Sequence, residues 1–379
     1  MNAQTPMRVL VVLPSWLGDA VMATPALRLI RERRPGALIA GLARAPVADL
    51  LAGSPLLDEI HIDRAAGVMG PKRVAARLRP LRFDCALLLT NSFSTALVTR
   101  LAGIPRRVGY DRDGRGLLLT DRLRAPEREH SSPIARRWRP VPAIAYYYAA
   151  ALALLGDVAP VLAELESPLS ILPPGTRPEL PRLESDARAA SDILARALVA
   201  PGADLVLLNP GANDPAKRWP VDRFALIASR LAERPGTRVL VSGSPSESVL
   251  ADAIVERAPA ALALHRHAHS LAALRGLLRR AALLVTNDTG PRHIAAALGT
   301  PTVSLFGPTD PRWTTLPDDD ISPSIRREIT LVADPTLPPS LVADEHPQRC
   351  SMDRIDPDKV LAACQHLLDA RSSRAHARS

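Results

Sequence analysis

The segment Pro14-Ser15-Trp16-Leu17-Gly18-Asp19 places a glycine before a carboxylate at the start of a helical pattern. Gly18 would let another molecule approach the backbone. A helix N-terminus favours the charged form of Asp19, and a charged carboxylate can take the proton of an attacking hydroxyl. The same aspartate would also serve as a simple helix cap. A second segment, Asn209 to Pro220, carries Gly211 and Asn213 and then presents Lys217 and Arg218. Such a loop can hold a diphosphate, with lysine as the point charge, or it is a solvated basic turn. A third, Asn287-Asp288-Thr289-Gly290, runs into Pro291-Arg292-His293. Proline suits the first helical turn, and the exposed N–H groups ahead of it make an anion site, with His293 on the first turn beside the ligand. Capping accounts for Asp288 and Thr289 but leaves Gly290 and His293 without a role. Two further loops, Phe306 to Asp310 and the one holding Gly243, read equally as tight turns or ligand contacts.

Several chemistries are poorly served by the chain. The Gly-x-Gly-x-x-Gly dinucleotide fingerprint does not occur in the first loop. No His, Asp and Glu residues fall at metal-ligand spacing, and His346 with Cys350 does not make a site, so no metal is expected. His265, His267 and His269 alternate and read as surface histidines. Cys85, Cys350 and Cys364 form no Cys-x-x-Cys pair, which fits a reducing compartment. Aromatic residues are only 3% of the 379, too few for the stacking platforms of single-strand nucleic-acid binding. The net charge of +9 favours anionic partners such as phosphates, acidic sugars or an anionic leaflet, although composition rich in Ala, Arg and Pro also produces it. We read no signal peptide, since Asp19 interrupts the only candidate apolar run. Ala143 to Leu155 is too short to span a bilayer. The expected location is cytoplasmic, with peripheral membrane contact.

The elements that position these loops alternate between strand and helix. Arg8 to Leu13 is an apolar, β-branched run that predicts a buried parallel strand, and Asp19 to Arg34 predicts one helix. Strands follow at 37–42, 59–62, 85–89 and 107–110, with helices at 45–52, 74–81, 94–102 and 142–155. Residues 106–139, with ten arginines against five acids, predict a long functional loop. A second series has strands at 204–209, 238–242, 282–286 and 302–306 and helices at 185–198, 222–233, 246–257, 271–280, 291–298 and 356–368. The pattern predicts an α/β fold with two parallel-sheet domains. Expected boundaries are 1–170, a proline-rich linker at 171–183, a second domain at 184–351, a C-terminal helix at 352–370 and a basic disordered tail at 371–379.

With these loops side by side, the chain resembles the lipopolysaccharide heptosyltransferases of glycosyltransferase family 9, over most of its length and in the same order. Pro14 to Asp19 resembles that family's Ser-x-x-Gly-Asp loop. Lys217-Arg-Trp-Pro220 resembles its Lys-x-Trp-Pro segment, Thr286 to His293 its Asp-[Ser/Thr]-Gly-x-x-His motif, and Ser304 to Thr309 the stretch after it. The Pro-Ser-Trp form of the first loop, Arg107-Val-Gly-Tyr110 and the His346 to Cys350 segment look most like the heptosyltransferase II branch.

The resemblance implies a GT-B fold, two facing Rossmann-like domains with the active site between them. It implies an ADP-heptose donor, a lipid A-linked core acceptor handled at the inner leaflet, inversion at the anomeric carbon and no metal cofactor. Asp19 would be the base and Lys217 would neutralise the departing diphosphate. Ser15, Gly18, Gly211, Asn213, Gly243, Asp288, Thr289, Gly290 and His293 would line the donor. Arg107, Arg112, Arg115, Arg136 and Arg137 would meet acceptor phosphates or the membrane. The last helix of such folds often crosses back to the first domain. Rival readings are a transferase for another nucleotide sugar or acceptor, a nucleotide-sugar 2-epimerase, and a non-catalytic nucleotide-sugar-binding protein.

Overall fold

Continuous apolar runs form the centre of two separate parallel sheets. The structure, a computed structural model, describes residues 6–126, 128–130, 136–267, 270–317, 327–337 and 348–376. The chain divides into two compact units, Met1–Pro181 with Arg312–Pro317, and Arg182–Pro311 with Asp318–Ser379.

The first unit runs β1 (Arg8–Val12), α1 (Leu17–Met22), α2 (Thr24–Arg33), β2 (Leu38–Ala43), α3 (Ala45–Leu51), β3 (Glu59–Ile62), α4 (Gly70–Leu78), β4 (Cys85–Leu88), α5 (Phe93–Leu101), β5 (Arg106–Tyr110), β6 (Asp121–Leu123), β7 (Arg128–His130), β8 (Arg136–Trp138) and α6 (Ala143–Leu155). Its main sheet is ordered β3-β2-β1-β4-β5-β6 and every pairing is parallel. This is the doubly wound order, and its direction reverses between β1 and β4. Val9 to Val12 on β1 are at most 1% exposed, as both covered faces require.

The single helix expected over 19–34 is two. Pro25 has no N–H to give the Val21 carbonyl four residues back. The Thr24 hydroxyl donates to that carbonyl instead, at 2.7 Å, and α2 starts there. The long loop expected over 106–139 is also corrected. Besides the expected strand, β5, it supplies the edge strand β6 and the antiparallel pair β7–β8. The proline-rich linker is packed down: Leu172 and Leu180 are buried, and the Glu179 N–H donates to Thr24 Oγ1 at 2.9 Å.

The second unit runs α7 (Glu184–Arg196), β9 (Asp204–Asn209), α8 (Val221–Ala232), β10 (Thr237–Val241), α9 (Ser248–Arg257), β11 (Leu262–Ala263), α10 (Leu271–Arg280), β12 (Leu283–Asn287), α11 (Gly290–Leu298), β13 (Thr302–Phe306), β14 (Glu328–Val332) and α12 (Pro357–His376). Its sheet order, β11-β10-β9-β12-β13-β14, repeats that of the first, with the reversal between β9 and β12.

The C-terminal helix is a third correction. Helix α12 belongs to the second unit, and Val360, Ala363, Cys364, Leu367 and Leu368 join Trp219, Phe224 and Ile227 of α8 and its approach in one core. It also continues through His376, so residues 371–376 are helical where a disordered tail was expected, and 377–379 lie outside the described residues. His269 and His346 lie outside them too. His265 and His267 sit in a 3-10 turn, not a strand. Among the described residues, no helix is long and apolar enough to cross a membrane.

Candidate functional site

Each sheet presents its expected chemistry at the point where strand order reverses, where ligands of open α/β sheets bind. In the first unit the loop after β1 leads into α1. Asp19 stands in that helix's first turn, half-buried. Ser15 is exposed and Gly18 is buried inside the helix. The Tyr147 hydroxyl, reaching from α6, donates to Asp19 Oδ1 at 3.2 Å. Tyr147 is buried. Burial, then the charge of Asp19, hold its hydroxyl well above the usual tyrosine range, so it remains a donor.

Next to this pair the loop after β4 is locked from below. Arg115 is fully buried. Its Nε donates to the Tyr110 carbonyl at 2.9 Å, another nitrogen to the Thr90 carbonyl, and a third to Asn91 Oδ1 at 3.1 Å. Burial lowers its pKa to about 10, which leaves it cationic at neutral pH. The Tyr146 hydroxyl also donates to Asn91 Oδ1, at 3.0 Å, and its ring stacks on Tyr110 with centroids 3.7 Å apart.

Arg115 is therefore not an acceptor or membrane contact. Arg107 is likewise occupied, donating to the carbonyls of Leu118, Ile104 and Pro105. Arg112 is half-exposed and bonds near the Tyr146 hydroxyl. Arg136 and Arg137 lie on β8, paired with His130 and Glu129 of β7.

In the second unit the loops after β9 and β12 are joined. Lys217 Nζ lies 3.7 Å from Asp288 Oδ2. Thr309, in the loop after β13, donates to the same oxygen at 3.1 Å, and Arg292 approaches Oδ1 at 3.6 Å. Arg292 is buried, paired also with Glu328, and its guanidinium lies 5.0 Å from the Phe306 ring centre. Thr289 is the cap position of α11, but its side chain does not cap. It turns inward to accept from Asn209 Nδ2 at 3.2 Å. Gly290 opens the helix, so its N–H precedes the helical hydrogen-bond ladder.

Beneath these loops lies a buried polar network. Asn287 Nδ2 donates to the Pro210 carbonyl at 2.8 Å and the Gly211 carbonyl at 3.3 Å, while its Oδ1 accepts from the Trp219 N–H at 3.2 Å. Asn209 reaches Thr286 and accepts from Ser242. Trp219 is buried and donates to the Ile355 carbonyl at 3.1 Å. Arg218 turns back onto the Ala212 carbonyl, so Lys217 is the cation this loop presents. A β-carbon on Gly211 would run into the carboxylate of Glu247. Glu247 is itself held by the Ser244 N–H at 2.8 Å, and Gly243 lies against its stem. A carboxylate there can accept ligand hydroxyls. Asn213 is exposed.

His293 lies on the first turn of α11, where it was expected. It is 4% exposed, and its Nδ1 has no hydrogen-bond partner. Burial, then the charge of Arg292, push its pKa well below the usual value. It is neutral at physiological pH. The residues that sequence reasoning passed over are Tyr147, Arg292, Glu247 and the Asn209–Asn287 network. Arg292 carried a signal, being a cation four residues after Asp288. Among the described residues, no group of three His, Cys, Asp or Glu side chains forms a metal cluster.

Two Rossmann-like domains, with a carboxylate at one switch point and a lysine–aspartate pair beside a helix N-terminus at the other, match the GT-B fold of glycosyltransferases. The glycosyltransferase family 9 (heptosyltransferase) model matches residues 72–329. Lipopolysaccharide heptosyltransferase 2 of Escherichia coli K12 is 31% identical over 81% of this chain and 85% of its own length. Lipooligosaccharide heptosyltransferase 2 of Haemophilus influenzae is 28% identical over the same shares. The solved E. coli ADP-heptose heptosyltransferase II superposes with a TM-score of 0.74 at 27% identity, covering 97% of this chain and 100% of that one. A family 9 glycosyl transferase from Veillonella parvula, at 20% identity, shares the fold with a TM-score of 0.75, covering 96% and 97%. The chain belongs to glycosyltransferase family 9, the heptosyltransferases.

Proposed function

We propose that the protein moves a heptose from ADP-heptose to the inner core of lipopolysaccharide, inverting the anomeric carbon and needing no metal. The observation that carries the donor half is the Lys217–Asp288 bridge beside the open N-terminus of α11. In this reading Asp19 takes the proton of the acceptor hydroxyl. The acceptor oxygen bonds to the anomeric carbon from one face as the bond to the diphosphate oxygen breaks on the other. The electron pair leaves with ADP, whose growing charge is met by Lys217 and the N–H groups at Gly290. Preset charges of this kind act without reorganising during the reaction. Asp288, itself held by Thr309, keeps the lysine in place, and Glu247 accepts ligand hydroxyls beside Gly211.

The acceptor is the lipid A-linked core, and the enzyme works peripherally at the inner face of the cytoplasmic membrane. Support comes from exposed apolar side chains in the first domain: Trp16, Val68, Met69, Phe93 and Leu117. They lie at or beside the loops after β1, β3, β4 and β5, with the half-exposed Arg112 among them.

Calorimetric titration with ADP, ADP-heptose, UDP and UDP-GlcNAc in the presence of EDTA tests this reading. The ADP ligands bind the native protein preferentially, and Lys217→Ala weakens them by roughly 10-fold or more, as expected for a charge-assisted contact. Preference for the UDP ligands, or binding restored only by added metal, refutes it.

A further inference from the structure

The carboxylate assigned as base accepts a hydrogen bond from a buried phenol of another helix. We propose that Tyr147 is a positioning residue for Asp19, acting through its hydroxyl to fix the carboxylate toward the acceptor and to keep it charged. The proposal rests on the reading of Asp19 as the base.

Three observations converge on it. The Tyr147 hydroxyl donates to Asp19 Oδ1 at 3.2 Å across 128 residues of sequence. A buried hydroxyl left without a partner is costly, so the bond holds both groups in place. Second, the tyrosine has little room to move. Its ring is buried in α6 and meets Tyr146 edge-on, with centroids 6.0 Å apart and planes at 76°. Tyr146 is itself stacked on Tyr110 and bonded to Asn91, which Arg115 also holds. The buried arginine thus braces the tyrosine platform from below. Third, burial and the nearby carboxylate keep the Tyr147 hydroxyl protonated, so it is a donor throughout the range where the enzyme works. A hydrogen bond donated to an ionised acceptor stabilises the charged form.

The test is a mutant cycle on the full chain, reading kcat and KM for heptosyl transfer together with ADP affinity and melting temperature. Tyr147→Phe keeps the ring and loses only the hydroxyl. It lowers kcat about 10- to 100-fold, the span of a hydrogen bond to a charged group, and leaves ADP affinity unchanged. In the Asp19→Asn background the same change has no further effect on kcat, because a residue acting through another loses its effect with it. Replacing Tyr147 with 4-aminophenylalanine restores a donor at the same place and recovers rate, which a loss of packing would not allow. An active Asp19→Asn refutes the base itself. An inactive Asp19→Asn with full kcat in Tyr147→Phe refutes only the positioning role. So do equal losses in both backgrounds, or a Tyr147→Phe defect that the amino analogue does not relieve.

Discussion

The two domains share one strand order, yet their loops are supported in different ways. In the first, the carboxylate proposed as base stands in a six-residue helix and accepts from the Tyr147 hydroxyl of α6. In the second, the charged pair Lys217–Asp288 sits on a buried lattice of Asn209, Ser242, Thr286, Thr289 and Asn287 that ties three strand ends together. The difference suits the two tasks. A diphosphate is bound by fixed charges, and fixed charges need rigid loops. A base must meet an acceptor that comes from solution or membrane, so it stands in a half-buried position beside exposed Ser15 and Trp16.

Changes to each side sharpen that contrast. Asp19→Asn has the largest effect: turnover falls about 10²- to 10⁴-fold, the usual contribution of general-base catalysis, while ADP binding and the melting curve stay as they were. Steady-state kinetics beside calorimetry checks this. Asn287→Ala acts in the other way. It strands the Trp219 N–H and two carbonyls in the core, and each unsatisfied buried group costs about 1–3 kcal/mol. Urea denaturation shows a loss of stability, and ADP affinity falls with it because the loop that carries Lys217 loses its anchor at the Trp219 N–H. If Asn287→Ala weakened ADP binding no more than a surface change does, the network would be scaffolding without bearing on the site.

The smallest effect is a pH dependence. His293 is buried neutral, with its pKa well below the usual value, whereas in the unfolded chain it titrates near ~6.5. Below that pH the unfolded state binds the proton and the folded state does not. Stability is complete above it and is lost as pH falls, at a slope approaching about 1.4 kcal/mol per pH unit. Urea midpoints from pH 7.5 to 5.5 follow this slope in the native protein and flatten in His293→Gln.

Sequence pattern is most informative where the environment is simplest. The runs of β1, β9, β12 and β13 are buried on both faces, and their continuous apolar character marks them directly. The edge strands β6, β11 and β14 escaped notice because they are short or carry polar residues, as in Asp121-Arg-Leu123 and Glu328-Ile-Thr-Leu-Val332. Lys217 and Asp288 were legible because a charge after a buried strand has few structural uses. Their supports were not. Asn209, Thr286 and Asn287 look like ordinary strand ends until the fold sets them opposite one another. Arg115 misled for the opposite reason: an arginine in an arginine-rich stretch reads as surface, and only the fold shows carbonyls gathered around it. The return of α12 to its own domain was hidden because its apolar positions fit any helix-sized groove.

The central claim is the transfer itself. The native protein, incubated with ADP-heptose and a lipid A-linked core acceptor in EDTA, is followed by mass spectrometry of the acceptor. The account predicts an acceptor heavier by one heptose residue, with ADP released in equal amount and product formed about 10²- to 10⁴-fold more slowly by Asp19→Asn. An unchanged acceptor beside an epimerised or intact donor, or equal product from Asp19→Asn, would contradict it.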